Sequence, residues 1–206
     1  MHKENCRRIL ILISGPSGVG KTTLIEQMLA SYFPKLHPIV TATTRAIRAG
    51  EQEGRQYFFL DSAEFIRKKG AGQFLETIER YGAMYGTLWS EIKNKSSRSH
   101  DLIMHIDWKG KRKLEMMAKK KPWLKNSIIS VFLKPKNFRA LRQRLERRGR
   151  NTAKEIAFRL REARDDLKHA GEYDYVLTSG SYEQDLGRLK AIYLAEGLKN
   201  RGIIKG

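Results

Sequence analysis

Residues 15 to 22 read Gly15-Pro16-Ser17-Gly18-Val19-Gly20-Lys21-Thr22, and Thr23 follows. This is the complete spacing G-x-x-x-x-G-K-[ST], and its chemistry is the gripping of a phosphate chain. Glycines let the backbone turn tightly and approach the phosphates. The loop N–H groups and the start of a following helix supply partial positive charge. Lys21 can reach the β- and γ-phosphates, and the Thr22 hydroxyl is a ligand for Mg²⁺. Both flanks suit the motif. "RRILILIS" before it is a short apolar run, and "KTTLIEQMLASYF" after it has apolar residues at helical spacing, at Leu24, Ile25, Met28 and Leu29. A chance match in a glycine-containing turn would lack that context.

The loop alone does not separate a GTP switch, an ATP-driven motor and a kinase. An N/T-K-x-D-like guanine-reading element is missing, and 206 residues make a short motor. Arginine and tyrosine fill the stretches "TATTRAIRAGEQEGRQYFF" and "FLETIERYGAMYGT". A nucleoside monophosphate carries close to two negative charges near neutral pH. Arg45 and Arg48 can fork onto such a group, with Tyr57 and Tyr85 as hydroxyl donors. Singly, each residue has a plainer reading: turn arginines on the surface, a half-buried strand tyrosine, a solvated Glu76. Their order behind a phosphate loop favours a site.

Together these stretches resemble the guanylate kinase family. Its pattern S-x-x-T-R-x-P-R-x-G-E-x-x-G-x-x-Y-x-F is met by Thr41, Thr44, Arg45, Arg48, Gly50, Glu51, Gly54, Tyr57 and Phe59. Phe74-Leu75-Glu76 and Tyr85-Gly86-Thr87 follow, then "RRGRNTAKEIAFRL" and "YDYVL". The likeness runs from about residue 9 to about residue 195. It implies a transfer of phosphate from ATP to GMP, and to dGMP, in purine nucleotide metabolism. Residues 15–23 would bind ATP, with Mg²⁺ on Thr22. Thr41, Arg45, Arg48, Tyr57, Glu76, Tyr85, Gly86, Thr87 and Asp107 would bind GMP. A carboxylate at Glu76 suits guanine, which offers two adjacent donors, N1–H and N2–H₂, where adenine does not. Lys21, Arg45, Arg148 and Arg159 would be the catalytic cations, with Arg144 a further lid candidate. The acceptor is already an anion, so the task is screening of charge on the transferred group rather than base catalysis.

Three places depart from the family pattern. Where [DE]-x-D-x-Q-G is usual, the chain has His105-Ile106-Asp107-Trp108-Lys109-Gly110. Where Asn-Asp follows the last strand it has Ser179-Gly180, and "RAIR" lacks the proline. His105 therefore leaves open a binding module without turnover, against which the intact loop argues. A kinase for another phosphorylated acceptor, such as a sugar phosphate, stays as a third reading, against which Glu76 and Thr87 argue.

The elements that must position these residues alternate. "RRILILIS", "DLIMHID", "SIISVFL" and "YDYVLTS" read as buried strands. Helices are expected after the loop, over "DSAEFIRKKG" with Asp61 or Ser62 as cap and Gly70 as stop, over "NFRALRQRLERRG" and "AKEIAFRLREARDDLKHA", and over 182–198. The alternation implies helices on both faces of a parallel sheet. The expectation is an α/β P-loop three-layer fold with a parallel core sheet, a small β-rich GMP-binding insert and a helical lid. One domain spans 1–206, with core about 1–37, 91–135 and 161–206, insert about 38–90 and lid about 136–160.

Composition bounds the rest. Forty-one Lys and Arg against 22 Asp and Glu give a net charge of +19, which favours anionic partners. Much of it, in "KGKRK", "AKKKPWLK" and "KNRGIIKG", lies outside the phosphate clamps. Without an aromatic-interleaved patch it argues for a basic surface rather than nucleic-acid binding. Cys6 is the single cysteine, so no disulfide framework exists and a reducing, cytoplasmic setting is expected. No run of 18 apolar residues is present, so no membrane role is expected. The charged start followed by an apolar run has a signal-peptide outline, but the run leads straight into the glycine loop and reads as a strand. A homo-oligomer is compatible with all of this.

Overall fold

The computed structural model describes residues 8–80, 82–97, 100–147 and 152–199. Strand β1 (Leu10–Ser14) is buried along its whole length, as its unbroken apolar run requires. It is the middle of a five-stranded sheet with β2 (Leu36–Pro38), β7 (Asp101–His105), β8 (Ile128–Lys134) and β9 (Tyr175–Thr178), in the order β2-β7-β1-β8-β9. Every pairing in it is parallel. Pro38, read from sequence as punctuation after the first helix, ends an edge strand, where a missing N–H costs no ladder bond.

The two faces of this sheet carry separate cores. Ile11 and Ile13 point to one side, where they pack with Leu24 and Met28 of α1 (Lys21–Tyr32) and with Leu189 and Ile192 of α8 (Tyr182–Leu198). Leu10 and Leu12 point to the other, against Leu114 and Ala118 of α4 (Trp108–Ala118) and Leu124 of α5 (Pro122–Lys125). The period-2 alternation of β1 therefore feeds both layers of helices.

A second sheet, β4-β3-β6-β5, is built from β3 (Thr41–Thr43), β4 (Tyr57–Phe59), β5 (Phe74–Arg80) and β6 (Ala83–Leu88). Helix α2 (Ser62–Gly70) covers it, capped by the Asp61 carboxylate, which accepts from Glu64 N–H. Phe65 of α2 stacks on Phe74 with ring centroids 4.5 Å apart. Helix α3 (Trp89–Ser97) leads back to the main sheet, where Ile92 joins the core of Leu10 and Leu12.

Helices α6 (Phe138–Arg147) and α7 (Ala153–Lys168) share a small core of their own, with Leu141, Leu145, Ile156 and Ala163 buried. The start of α7 is a full capping box: the Thr152 hydroxyl accepts from Glu155 N–H, and the Glu155 carboxylate accepts from Thr152 N–H. Arg148, one of the expected catalytic cations, lies outside the described residues. No helix among the described residues is long and apolar enough to cross a membrane.

Candidate active site

The phosphate loop is the turn between β1 and α1. Gly15 has φ +133°, and a Cβ there would lie 2.1 Å from the Leu133 carbonyl oxygen, so only glycine lets the loop pass β8. Lys21 Nζ donates to the carbonyls of Gly15 and Pro16, at 2.5 and 2.9 Å, which holds the ammonium at the loop. Gly15, Ser17, Gly18, Gly20, Lys21 and Thr22 line a cavity whose far wall is His105, Asp107, Trp108, Asp166 and Tyr173. Arg159 reaches it from α7: its Nη1 donates to Ser17 Oγ at 2.6 Å.

A second cavity abuts the first and is lined by Thr41, Tyr57, Glu76, Ile78 and Tyr85. The two share His105, Ile106 and Asp107 as a common floor. Packing explains how Glu76 comes to face it. Phe74 and Leu75 are both buried although adjacent in a strand, because the β5–β6 register shifts between Phe74 and Glu76. Phe74 turns into the core of the second sheet, while Leu75 plugs the main core beside Ile106 and Leu114. Glu76 is thereby anchored over the junction of the two sheets, opposite Thr87 in the ladder.

Thr87, 1% exposed, donates its hydroxyl to Glu76 Oε1 at 2.7 Å. Burial pushes the Glu76 carboxyl above the ordinary carboxylate value, and the Thr87 hydrogen bond offsets part of that. Gly86 lets β5 pass close, since a Cβ there would stand 2.8 Å from the Glu76 carbonyl oxygen. Asp107 caps α4 by accepting from Gly110 N–H at 2.7 Å, and that bond orients its carboxylate at the shared floor.

Arg45 stands beside this cavity rather than on its wall. Its guanidinium lies 5.3 Å from the Tyr57 ring centroid and forks onto Glu51, at 3.0 and 2.8 Å. The Glu51 hydrogen bond raises the Arg45 pKa, and Arg45 in turn holds Glu51 below the carboxylate range. Glu51 also accepts from the Arg48 N–H at 2.8 Å. The Arg48 side chain is on the exposed turn and does not line the cavity. Tyr57, on the wall, has its phenol pKa raised by burial.

His105 is an exposed residue by surface area and opens on both cavities, while protein atoms surround the ring beyond that opening. That desolvation, and then the charge of Lys21, lowers its pKa to about 4, so the imidazole is neutral near neutral pH. A third cavity lies on the opposite flank of the loop. It is lined by Gly18, Val19, Gly20 and Thr23, by Arg144 and Arg147 of α6, and by Ser179, Gly180, Tyr182 and Asp185.

The structure thus brings Thr41, Tyr57, Glu76, Tyr85 and Asp107 to one cavity, with Thr87 behind Glu76 and Arg45 alongside. Sequence reasoning passed over Glu51 as a site residue, although its signal was present six positions after Arg45. It also passed over Trp108, Asp166 and Tyr173 on the phosphate cavity and Tyr182 and Asp185 on the third, where Arg147, whose plain reading is a solvated helix arginine, also lies. Residues of these types at helix ends and loop edges carry no spacing that marks them.

The guanylate kinase family model matches residues 7–196. A curated guanylate kinase of Hahella chejuensis is 38% identical over 191 residues, covering 92% of this chain and 88% of that one. One from Pseudomonas savastanoi pv. phaseolicola is 39% identical over 196 residues, with the same coverages of 92% and 88%. The crystal structure of guanylate kinase from Anaplasma phagocytophilum superposes with a TM-score of 0.70 at 28% identity, covering 95% of this chain and 89% of that chain.

Proposed function

We infer the working of this site from one premise: the chain belongs to the guanylate kinase family, and its reaction is the ATP-dependent phosphorylation of GMP to GDP. The observation that carries the assignment of residues is the Glu76–Thr87 pair, turned toward a cavity that shares its floor with the phosphate-loop cavity. Residues 15–23 hold the donor triphosphate. Glu76 accepts from guanine N1–H and N2–H₂, with Thr87 steering it and Thr41 and Asp107 on the remaining base edge. Gly86 gives the close backbone approach. Arg45, Arg48, Tyr57 and Tyr85 take the GMP phosphate, and dGMP fits the same set.

The two reacting groups are both anions, so what the protein supplies is fixed positive charge. Lys21 and Arg45 approach from the core and the second sheet. Arg159 approaches from α7, and the segment of about 136–160 acts as the lid; Arg148 keeps the catalytic role that the family pattern implies. Residues of about 38–90 act as the acceptor-binding insert, and the remainder of 1–206 as the core. Closure of the lid keeps water, the competing acceptor, away from the transferred phosphoryl group.

The donor set around the loop fits Mg²⁺. The Thr22 hydroxyl and the Asp107 and Asp166 carboxylates open on one cavity, and these are hard oxygen donors. Thr22 would ligate the ion, and Asp166 would accept from its waters. When bound with ATP the ion supplies neutralisation of phosphate charge. We place the reaction in the cytoplasm, in keeping with a single cysteine, and read the +19 charge as a basic surface beyond the clamps.

The test is ADP release with ATP, Mg²⁺ and each of GMP, dGMP, AMP, UMP and CMP. Turnover with GMP and dGMP alone, abolished in Lys21→Ala and Arg45→Ala, is the expected result. Comparable turnover with AMP would sink the role given to Glu76.

A further inference from the structure

Helices α6 and α7 keep a core of their own, apart from the two cores of the main sheet. Over the phosphate loop, α7 is tied down by the Arg159–Ser17 bond. Its other end is tied to α4. His169 caps α7, and its ring stacks on that of Trp108, the first residue of α4, with centroids 3.8 Å apart and planes 23° from parallel. Polar bonds lock the stack. The Glu172 carboxylate takes the Arg112 fork, from Nε at 2.9 Å and Nη2 at 2.6 Å, and meets His169 Nδ1 at 2.8 Å. Those bonds, Arg112 first, lower the Glu172 pKa to about 2. Near neutral pH it is therefore an anion that can only accept, and Nδ1 carries the imidazole proton. The Arg112 guanidinium lies 5.1 Å from the Trp108 ring centroid, which closes the circuit. Trp108 and Arg112 of α4, with His169 and Glu172 beyond α7, form one clamp.

The clamp sits where small movements count. Asp107, which precedes Trp108, is on the floor shared by both cavities, and Trp108 itself lines the phosphate-loop cavity. Arg159 stands ten residues before His169 on the same helix. That is about 15 Å along the axis, so a tilt of about 10° at His169 moves Arg159 by about 3 Å. Such a shift breaks the bond to Ser17, and a misplacement of about 1 Å already costs on the order of 100-fold in rate. We propose that Trp108 is a positioning residue for phosphoryl transfer: its stack on His169 fixes the foot of α7, and so sets where Arg159 stands over the phosphate loop. This deepens the reading of Arg159 as a cation on the transferred group, and rests on it. Trp108 acts through α7 and needs no contact with either nucleotide.

The experiment uses the full chain with ATP, Mg²⁺ and GMP. Trp108 and His169 are half-buried and belong to neither core of the main sheet, so variants at them keep the fold. Trp108→Leu and His169→Leu are each expected to lower kcat about tenfold while KM for ATP and GMP changes less than about threefold. Trp108→Phe keeps a flat ring for the stack and is expected to recover kcat to within about twofold. The double variant should lose no more than either single change, since both break one contact. In an Arg159→Ala background, Trp108→Leu should change kcat less than about twofold, because the group it positions is gone. Unchanged kcat in Trp108→Leu overturns the proposal, and so does its full loss in the Arg159→Ala background. A loss in Trp108→Leu that His169→Leu does not share also overturns it, since that marks a direct contact with substrate. Amide hydrogen exchange separates this from failure of the underlying reading. Faster exchange in α7 of Trp108→Leu, with the main sheet unchanged, supports the clamp even if Arg159→Ala leaves kcat intact and the reading of Arg159 falls. Unchanged exchange in α7 refutes the clamp even if Arg159→Ala abolishes turnover.

Discussion

Thr87 Oγ1 donates to Glu76 Oε1 across the β5–β6 ladder, at 2.7 Å. The bond aims the carboxylate at the second cavity, where the proposed reading makes it the guanine-binding group. Glu76→Gln is expected to lower kcat/KM for GMP about 100-fold, the cost of misfacing a buried donor pair. The same change stabilises the fold near neutral pH. Glu76 is raised in the folded state, so its ionised form is a burden above that raised value and none below the unfolded value. Thermal melts should show a higher Tm for Glu76→Gln at neutral pH and no gain near pH 4. A lower Tm at neutral pH would mean that the carboxylate is a structural anchor.

Glu51 keeps Arg45 in place with two hydrogen bonds while fixing the Arg48 turn with a third. Glu51→Ala leaves the cation but removes its brace. Steady-state kinetics should show KM for GMP rising about tenfold with a smaller fall in kcat, as expected of lost orientation. Arg45→Ala removes the charge itself and should cost about 10³ in kcat. Equal losses in the two variants would contradict this separation.

Arg159 ties α7 to Ser17 of the phosphate loop. Ser17→Ala deletes one partner of the arginine and not the arginine. Its kcat should drop less than about tenfold, against about 10³-fold for Arg159→Ala. If Arg159→Lys restores full turnover, the planar fork is irrelevant and only the charge counts.

His105 sits near Lys21 with its pKa lowered to about 4. The unfolded chain takes up that proton first, at about pH 6.5, so stability falls as pH drops between the two values. His105→Gln should flatten that part of the stability profile. His105→Asp places an anion near Lys21 and should tighten Mg²⁺ in a titration of activity. Unchanged metal affinity and turnover would make His105 a strand-end residue only.

Four strands of the main sheet were legible as short, largely apolar runs, whereas the edge strand β2 was not, because its three residues end in Pro38. Helix α4 was not legible either. Its "KGKRK" reads as basic surface, yet Gly110, Lys111, Leu114 and Ala118 are the buried face of the helix. Lys111 is 2% exposed because its Nζ donates to the Glu172 carbonyl and lies 4.7 Å from the Tyr173 ring centroid, partners that sequence distance hides. The residues of the second cavity were read from their family pattern, not from periodicity. The consecutive burial of Phe74 and Leu75 breaks the strand period, and no local rule places Glu76 where the irregular register puts it.

The acceptor and phosphate cavities have His105, Ile106 and Asp107 in common. Two ligands seated there end within reach of one another, so a tether between them needs only a short linker. Joining a guanosine to a nucleoside through a polyphosphate would make the second contact intramolecular, at an effective concentration that adds about 10²–10⁴ to the affinity of either half. A shared floor therefore makes the enzyme a natural target for a bivalent ligand, and linker length becomes a ruler for the distance at which phosphate changes hands.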